Sequence, residues 1–376
     1  MGEGGLRDVA LVFLKLGTTA FGGPAVHIAM MEDEVVRRRR WLTREEFLDY
    51  LGATNLIPGP NSTELAIHIG RARGGWPGLM VAGLAFILPA TLIVGLIAWA
   101  YVRYGTVPEA GAILYGIKPV VLAIVAQALW SLGRTALKTT TLAVLGAAAV
   151  VAAAAGIHEL LILAAAAAIM MAGVAARHVA AAVPLFIADA AGLSAQAFAA
   201  GAPPSFGLWP LFLVFAKAGG LLFGSGYVLL AFLRADLVER LHWLTEFQLL
   251  DAIAIGQITP GPVFTTATFI GYLLGGPAGA AVATVGIFLP AFVFVALSGP
   301  LVSRLRRSAV AAAALDGVNV ASLALMAVVS WHLGRAALLD PLSIGVAIAS
   351  LAALVQWRVN SAWLIAAGAA VGWLAR

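Results

Sequence analysis

The chain of 376 residues is 62% hydrophobic and 11% charged, with a formal net charge of +5 and no cysteine. Soluble domains are about 45–50% apolar and about 25% charged, so lipid must be the solvent for most of this chain. Disulfides, thiolate metal sites and cysteine nucleophiles are excluded, and the densest basic run, arginines 37–40, suits a topology determinant beside a membrane segment better than a nucleic-acid surface.

In chain order, a first apolar helix carries Lys15 and stops at Phe21-Gly22-Gly23-Pro24. Charges at Glu3, Arg7, Asp8 and Lys15 argue against a cleavable signal peptide there. A charged amphipathic segment covers 32–50, and Pro58-Gly59-Pro60 opens a short apolar piece at 61–73. Long apolar helices follow at 77–101 and 109–133, each meeting the about 20 residues that a bilayer requires. Shorter segments at 141–155 and 158–176 close this unit, and an Ala-rich linker, 179–205, follows. The order then recurs. A helix with Lys217 ends at Phe223-Gly224-Ser225-Gly226, an amphipathic segment covers 234–251, and Pro260-Gly261-Pro262 opens 263–274. Helices at 277–299, 309–334, 341–355 and 361–375 complete the chain.

The recurrence is literal. At a shift of 202, Phe13, Lys15, Gly17, Trp41, Leu42, Thr43, Asp49 and Pro58-Gly59-Pro60 fall on Phe215, Lys217, Gly219, Trp243, Leu244, Thr245, Asp251 and Pro260-Gly261-Pro262. After one deletion the shift is 201, and Trp130 and Arg134 fall on Trp331 and Arg335. Matching Lys, Asp, Arg, Trp and Pro excludes a chance alignment of apolar runs. The chain is thus an all-α polytopic membrane protein with homologous halves at 1–178 and 206–376; its spans must be helical because lipid offers the backbone no partners. As a helix, the 13 residues 61–73 reach only about 20 Å, too short to cross. A re-entrant piece leaves five crossings per half and turns the second half upside down, whereas a piece that does cross gives six per half and parallel halves. The basic loop follows the first helix in half one but the third span in half two (Arg304, Arg306, Arg307), the exchange that inversion leaves.

Inverted repeats with broken helices place substrate near the midplane, where half-helix ends meet. Helix N-termini attract anions through unmade N–H bonds and partial positive charge. The expected oxyanion site therefore comprises Lys15, Phe21, Gly22, Gly23, Asn55, Gly59, Asn61 and Ser62 from half one. Half two supplies Lys217, Gly224, Ser225, Gly226, Gln257, Thr259, Gly261 and Thr265. The glycines admit close approach to the main chain, the amide and hydroxyl side chains donate, and the two lysines, costly at depth, attract the anion unless they snorkel to an interface. Asn61 with Glu64 also fits a capping box. Glu64 and His68 lie one turn apart on one helix face, a pair suited to carrying protons. Asp49 and Asp251 read as solvated or paired with arginines, and Lys118 as a lone deep lysine replaced by Asn319 in half two. Arg134 and Arg335, in Trp-x-Leu-Gly-Arg, read as helix-end anchors. No nucleotide loop, His-Glu-x-x-His or paired acidic metal site is present, so no catalytic residue, metal or cofactor is assigned.

Lys and Phe-Gly-Gly-Pro on a first helix, then Trp-Leu-Thr, Pro-Gly-Pro, Gly-Gly and a Leu-Pro helix, all given twice, resemble the chromate ion transporter family in its long two-domain form. The resemblance covers nearly the whole chain. It implies a bacterial or archaeal cytoplasmic-membrane protein that exports chromate using the ion gradient, with halves in opposite orientation. Half two departs from the pattern at Gly224-Ser225-Gly226 and Thr265-Thr266, so identical roles are not assigned to the halves. A tetrahedral dianion suits the donors named above, and sulfate, of the same charge and shape, fits them equally. The expected partners are this oxyanion and the bilayer, with no nucleic acid; a homodimer, transport of another small anion and an anion channel stay open.

Overall fold

A computed structural model describes residues 4–21, 23–104, 108–178, 206–223, 228–305, 308–357 and 359–375. The linker 179–205, Gly22 and Gly224-Ser225-Gly226 lie outside the described residues, as do Arg306 and Arg307. Half one begins with α1 (Gly4–Thr19) and α2 (Pro24–Glu32), which runs on into a π-helical turn, Asp33–Arg38. Pro24 suits the first turn of α2 because a helix asks nothing of that nitrogen. Then come α3 (Arg44–Thr54), α4 (Asn61–Tyr104), α5 (Pro108–Ala136), α6 (Thr140–Ala154) and α7 (Glu159–His178). Half two repeats them as α8 (Leu208–Leu221), α9 (Leu229–Leu233) with its π-helical turn Arg234–Arg240, α10 (Glu246–Ile258) and a 3-10 turn, Val263–Thr265, leading into α11 (Thr266–Leu305). The last three are α12 (Ala309–Ala337), α13 (Pro341–Gln356) and α14 (Ser361–Leu374). The described residues contain no strand.

Among the described residues, four stretches are long and apolar enough to cross a membrane: Asn61–Tyr104, Gly111–Ala136, Val263–Ser298 and Ala309–Ala337. Two of them are folded back on themselves. In α4, Gly74 and Gly75 leave helical geometry, Gly75 at φ 62°; in α11, Gly275 and Gly276 do the same, Gly276 at φ 59°. A left-handed φ costs glycine nothing. The arms then run side by side: a methyl group on Gly70 would lie 2.3 Å from the Gly78 carbonyl oxygen, and one on Gly271 2.3 Å from that of Gly279. A straight helix would separate such residues by about 12 Å. The short pieces after Pro-Gly-Pro are therefore the first arms of helical hairpins.

The same close approach fixes α1 on α4 and α8 on α11. Gly17 abuts the Phe86 carbonyl and Gly219 the Ile287 carbonyl, repeat-equivalent pairs. Across the halves the packing is exchanged: α5 lies on α13 and α14, whereas α12 lies on α6 and α7. Gly116 meets Gly368 and Gly372 in the first contact, and its equivalent Gly317 meets Ala166 in the second. Reciprocal pairing of equivalent residues makes the halves two parts of one body about a pseudo-two-fold. The outer surface is apolar, with Leu92, Leu96, Val144 and Val151 exposed, as a lipid-facing surface should be. Trp130 and Trp331 are exposed on it at equivalent places, in keeping with anchoring.

Candidate functional site

The two Pro-Gly-Pro turns meet between the halves. Gly59 (φ 139°) and Gly261 (φ 87°) adopt conformations that disfavour a side chain. Each donates its N–H across the pseudo-two-fold: Gly59 to the Leu222 carbonyl at 2.7 Å, and Gly261 to the Ala20 carbonyl at 3.0 Å. These carbonyls stand where α1 and α8 break, so each helix break is satisfied by the opposite turn. A small cavity of about 50 Å³ lies beside this crossing, lined by Pro24, Ile28, Pro60, Asn61, Ser62, Pro262, Val263 and Phe264. That is a few times the space one water needs. The N-termini of the two hairpin arms face it, and the first N–H groups of a helix have no intrahelical acceptor. The Asn61 amide is tied at the rim, donating to the Asn55 side-chain oxygen at 3.0 Å.

Of the residues expected at the site, Asn61 and Ser62 line the cavity, while Gly59 and Gly261 form the crossing that supports it. Gly23 (φ 80°) caps α2, and Phe21 is exposed. Half two offers little to an anion. Thr265 and Thr266 are buried with hydroxyls donating to the Pro262 and Val263 carbonyls, and Thr259 donates to the Ile255 carbonyl. Gln257 is buried behind them.

The lysines are engaged elsewhere. Lys15 pairs with Glu34 at 3.1 Å and Lys217 with Asp236 at 2.8 Å, each acid being the repeat equivalent of the other. Arg38 and Arg240 complete the same triads from one turn further along. Lys217 also holds Glu159 at 2.9 Å. The Arg39 guanidinium and Lys15 hold the Glu34 carboxyl down at about 2. Their recurrence thus has a structural cause: they tie α1 and α8 to the π-helical turns. The capping box expected at Asn61 does not form, because Asn61 already lies inside α4; boxes form instead at Thr43 with Glu46, at its equivalent Thr245 with Gln248, and at Asp340 with Ser343. Asp251 is not solvated or arginine-paired. It is buried, 2.9 Å from the Lys118 ammonium, and accepts from the Tyr101 hydroxyl, both from the other half.

Glu64 and His68 are both buried in the first arm of α4. The Glu64 carboxylate lies against Gly59, where a methyl group would be 2.3 Å from its Oε1, and neither oxygen has a hydrogen-bond partner among the described residues. His68 stacks on Tyr50 at 5.6 Å instead of bonding to Glu64. One site residue went unread in the sequence. His27 of α2 is buried, with Nε2 3.1 Å from the Ala20 carbonyl and Nδ1 3.3 Å from the Ser62 hydroxyl. Its one signal was a histidine four residues past the glycine cluster where half two has Leu229.

A family model described as chromate transporter matches residues 7–172 and again 209–373, one match per half. A chromate transport protein of Cupriavidus metallidurans is 32% identical over 97% of this chain and 92% of its own length. One from Pseudomonas aeruginosa is 34% identical over 96% of this chain and 90% of its own. An uncharacterized transporter of Bacillus subtilis is 28% identical over 34% of this chain and 72% of itself, the size of a single repeat. No solved structure matches. A family match on each half, together with similarity to transport proteins along almost the whole length, places this chain in the chromate transporter family, among transporters and not enzymes.

Proposed function

We propose that this chain exports chromate across the cytoplasmic membrane, linked to the proton gradient, with its halves in opposite orientation and substrate held between the two Pro-Gly-Pro turns. The observation that carries the reading is the reciprocal crossing of Gly59 and Gly261 beside one small cavity faced by two helix N-termini. Helix ends supply positive potential to an anion in a low-dielectric place without a buried cation. Family membership and the chromate transport proteins of Cupriavidus and Pseudomonas support chromate as the substrate. The second half closes its side more tightly. Its α10 is wedged against α5, α12 and α14, whereas α3 packs on α4 and leaves Asn55 exposed. Closure on one side of a central site fits alternating access. In this reading Glu64, buried and beside the crossing, carries the coupling proton, with His68 behind it.

The test is transport into everted vesicles and proteoliposomes under an imposed pH gradient. Chromate should accumulate and sulfate should compete. Movement of neither anion overturns the reading.

A further inference from the structure

His27 joins three parts of the site. It sits on α2, contacts Ser62 at the start of α4, and shares the Ala20 carbonyl with Gly261 of the opposite turn. A carbonyl oxygen only accepts, so the Nε2 facing Ala20 carries a hydrogen. In the neutral ring Nδ1 is then bare and accepts the Ser62 hydroxyl hydrogen. Ser62 lines the cavity, so in this state it shows the cavity oxygen lone pairs, which repel an anion. A second proton on the ring reverses the bond: Nδ1–H donates to the Ser62 oxygen, and the hydroxyl hydrogen is free to turn into the cavity and donate to an oxyanion. Around His27 the packing is otherwise apolar. The Phe86 ring stands nearly perpendicular to the imidazole ring, centres 5.5 Å apart, and no charged side chain makes a hydrogen bond, ion pair or ring contact with it among the described residues. The nearest acid in α4 is Glu64, two residues past Ser62, with its carboxylate turned to Gly59. In half two the same two positions are Leu229 and Phe264, so the arrangement exists on one side of the cavity alone.

Resting on the transport reading above, we infer that His27 is a positioning residue that turns the Ser62 hydroxyl, so that the oxyanion and a proton occupy the site together. The proton binds at Nδ1 from the side on which the anion loads. A dianion with one proton keeps a net negative charge, and an inside-negative membrane potential drives that complex outward.

The experiment measures sulfate affinity of the purified chain between about pH 5 and pH 8, through which sulfate remains a dianion. Wild type should bind more tightly as pH falls, by up to about tenfold per pH unit, the limit for one linked proton. His27→Asn should flatten that dependence. Ser62→Ala should flatten it too, leaving the imidazole in place, and it carries the test alone if the His27 variant does not insert. Thr43→Ala, at an exposed helix cap, should keep the slope. A slope that survives in His27→Asn or Ser62→Ala, or that vanishes in Thr43→Ala, overturns the inference while leaving the oxyanion site standing. A wild-type chain that binds neither sulfate nor chromate at any pH overturns the transport reading, and this inference with it.

Discussion

The two halves share a frame and differ in the chemistry they bring to the cavity. Gly17 on Phe86 is repeated by Gly219 on Ile287, Lys15–Glu34–Arg38 by Lys217–Asp236–Arg240, and Thr43–Glu46 by Thr245–Gln248. Asn61 and Ser62 at the cavity, and His27 and Glu64 near it in half one, correspond to Val263, Phe264, Leu229 and Thr266 in half two. What is duplicated holds helices together; what is not duplicated holds the polar groups a substrate or proton can use. The lesson runs against intuition from repeats, because the recurring lysines are the residues a repeat makes conspicuous, and their charges are already matched by carboxylates.

That contrast breaks most sharply at Glu64. Glu64→Gln should sharply reduce the response of chromate transport to a pH gradient, leaving only the part carried with the anion at His27. Thr266→Val, at the equivalent place, should leave the response intact. Both are read as initial rates in proteoliposomes with and without the gradient. Equal loss in both variants would make the halves functionally alike, and an undiminished response in Glu64→Gln would remove Glu64 from coupling.

The lysines separate the halves by stability. Lys217 is 15% exposed between two acids that are 8% and 2% exposed, and removing one partner of a buried pair costs about 3–5 kcal/mol. Lys15 is 50% exposed, so Lys15→Ala should cost at most about 1 kcal/mol. Thermal unfolding in detergent should therefore show a large drop for Lys217→Ala and a small one for Lys15→Ala. Asp251→Asn, which strands Lys118 between the halves, should cost about 3 kcal/mol by the same argument, whereas Asp49→Asn, on an exposed face, should cost at most about 1 kcal/mol.

Much of this frame was legible beforehand, for physical reasons. Composition required helices in lipid, and the length of 61–73 required a piece that turns back; Gly74-Gly75 and Gly275-Gly276 supply the turns. Pro-Gly-Pro was readable as a helix opening because proline suits a first turn. The partners were not legible. That the Gly59 N–H meets the Leu222 carbonyl, or that Asp251 meets Lys118, depends on exchanged packing between halves, which no local pattern encodes. His27 was hidden for the same reason: its partners, Ala20 and Ser62, are 7 and 35 residues away. The lysines misled because depth in an apolar helix signals function only when no counter-charge is near, and the acids were 19 residues on.

The smallest effect tests the duplicated frame itself. Thr43 accepts from the Glu46 N–H and Thr245 from the Gln248 N–H, and in each box the third residue returns a bond to the cap nitrogen. Losing such a cap costs about 1 kcal/mol, whether the helix is exposed like α3 or buried like α10, because the lost bond is local. Thr43→Ala and Thr245→Ala should therefore lower thermal stability by similar small amounts. If Thr245→Ala costs clearly more, α10 must draw on its cap to hold its wedge against α5, α12 and α14, and the closed side of the molecule would depend on a bond that the open side can lose cheaply.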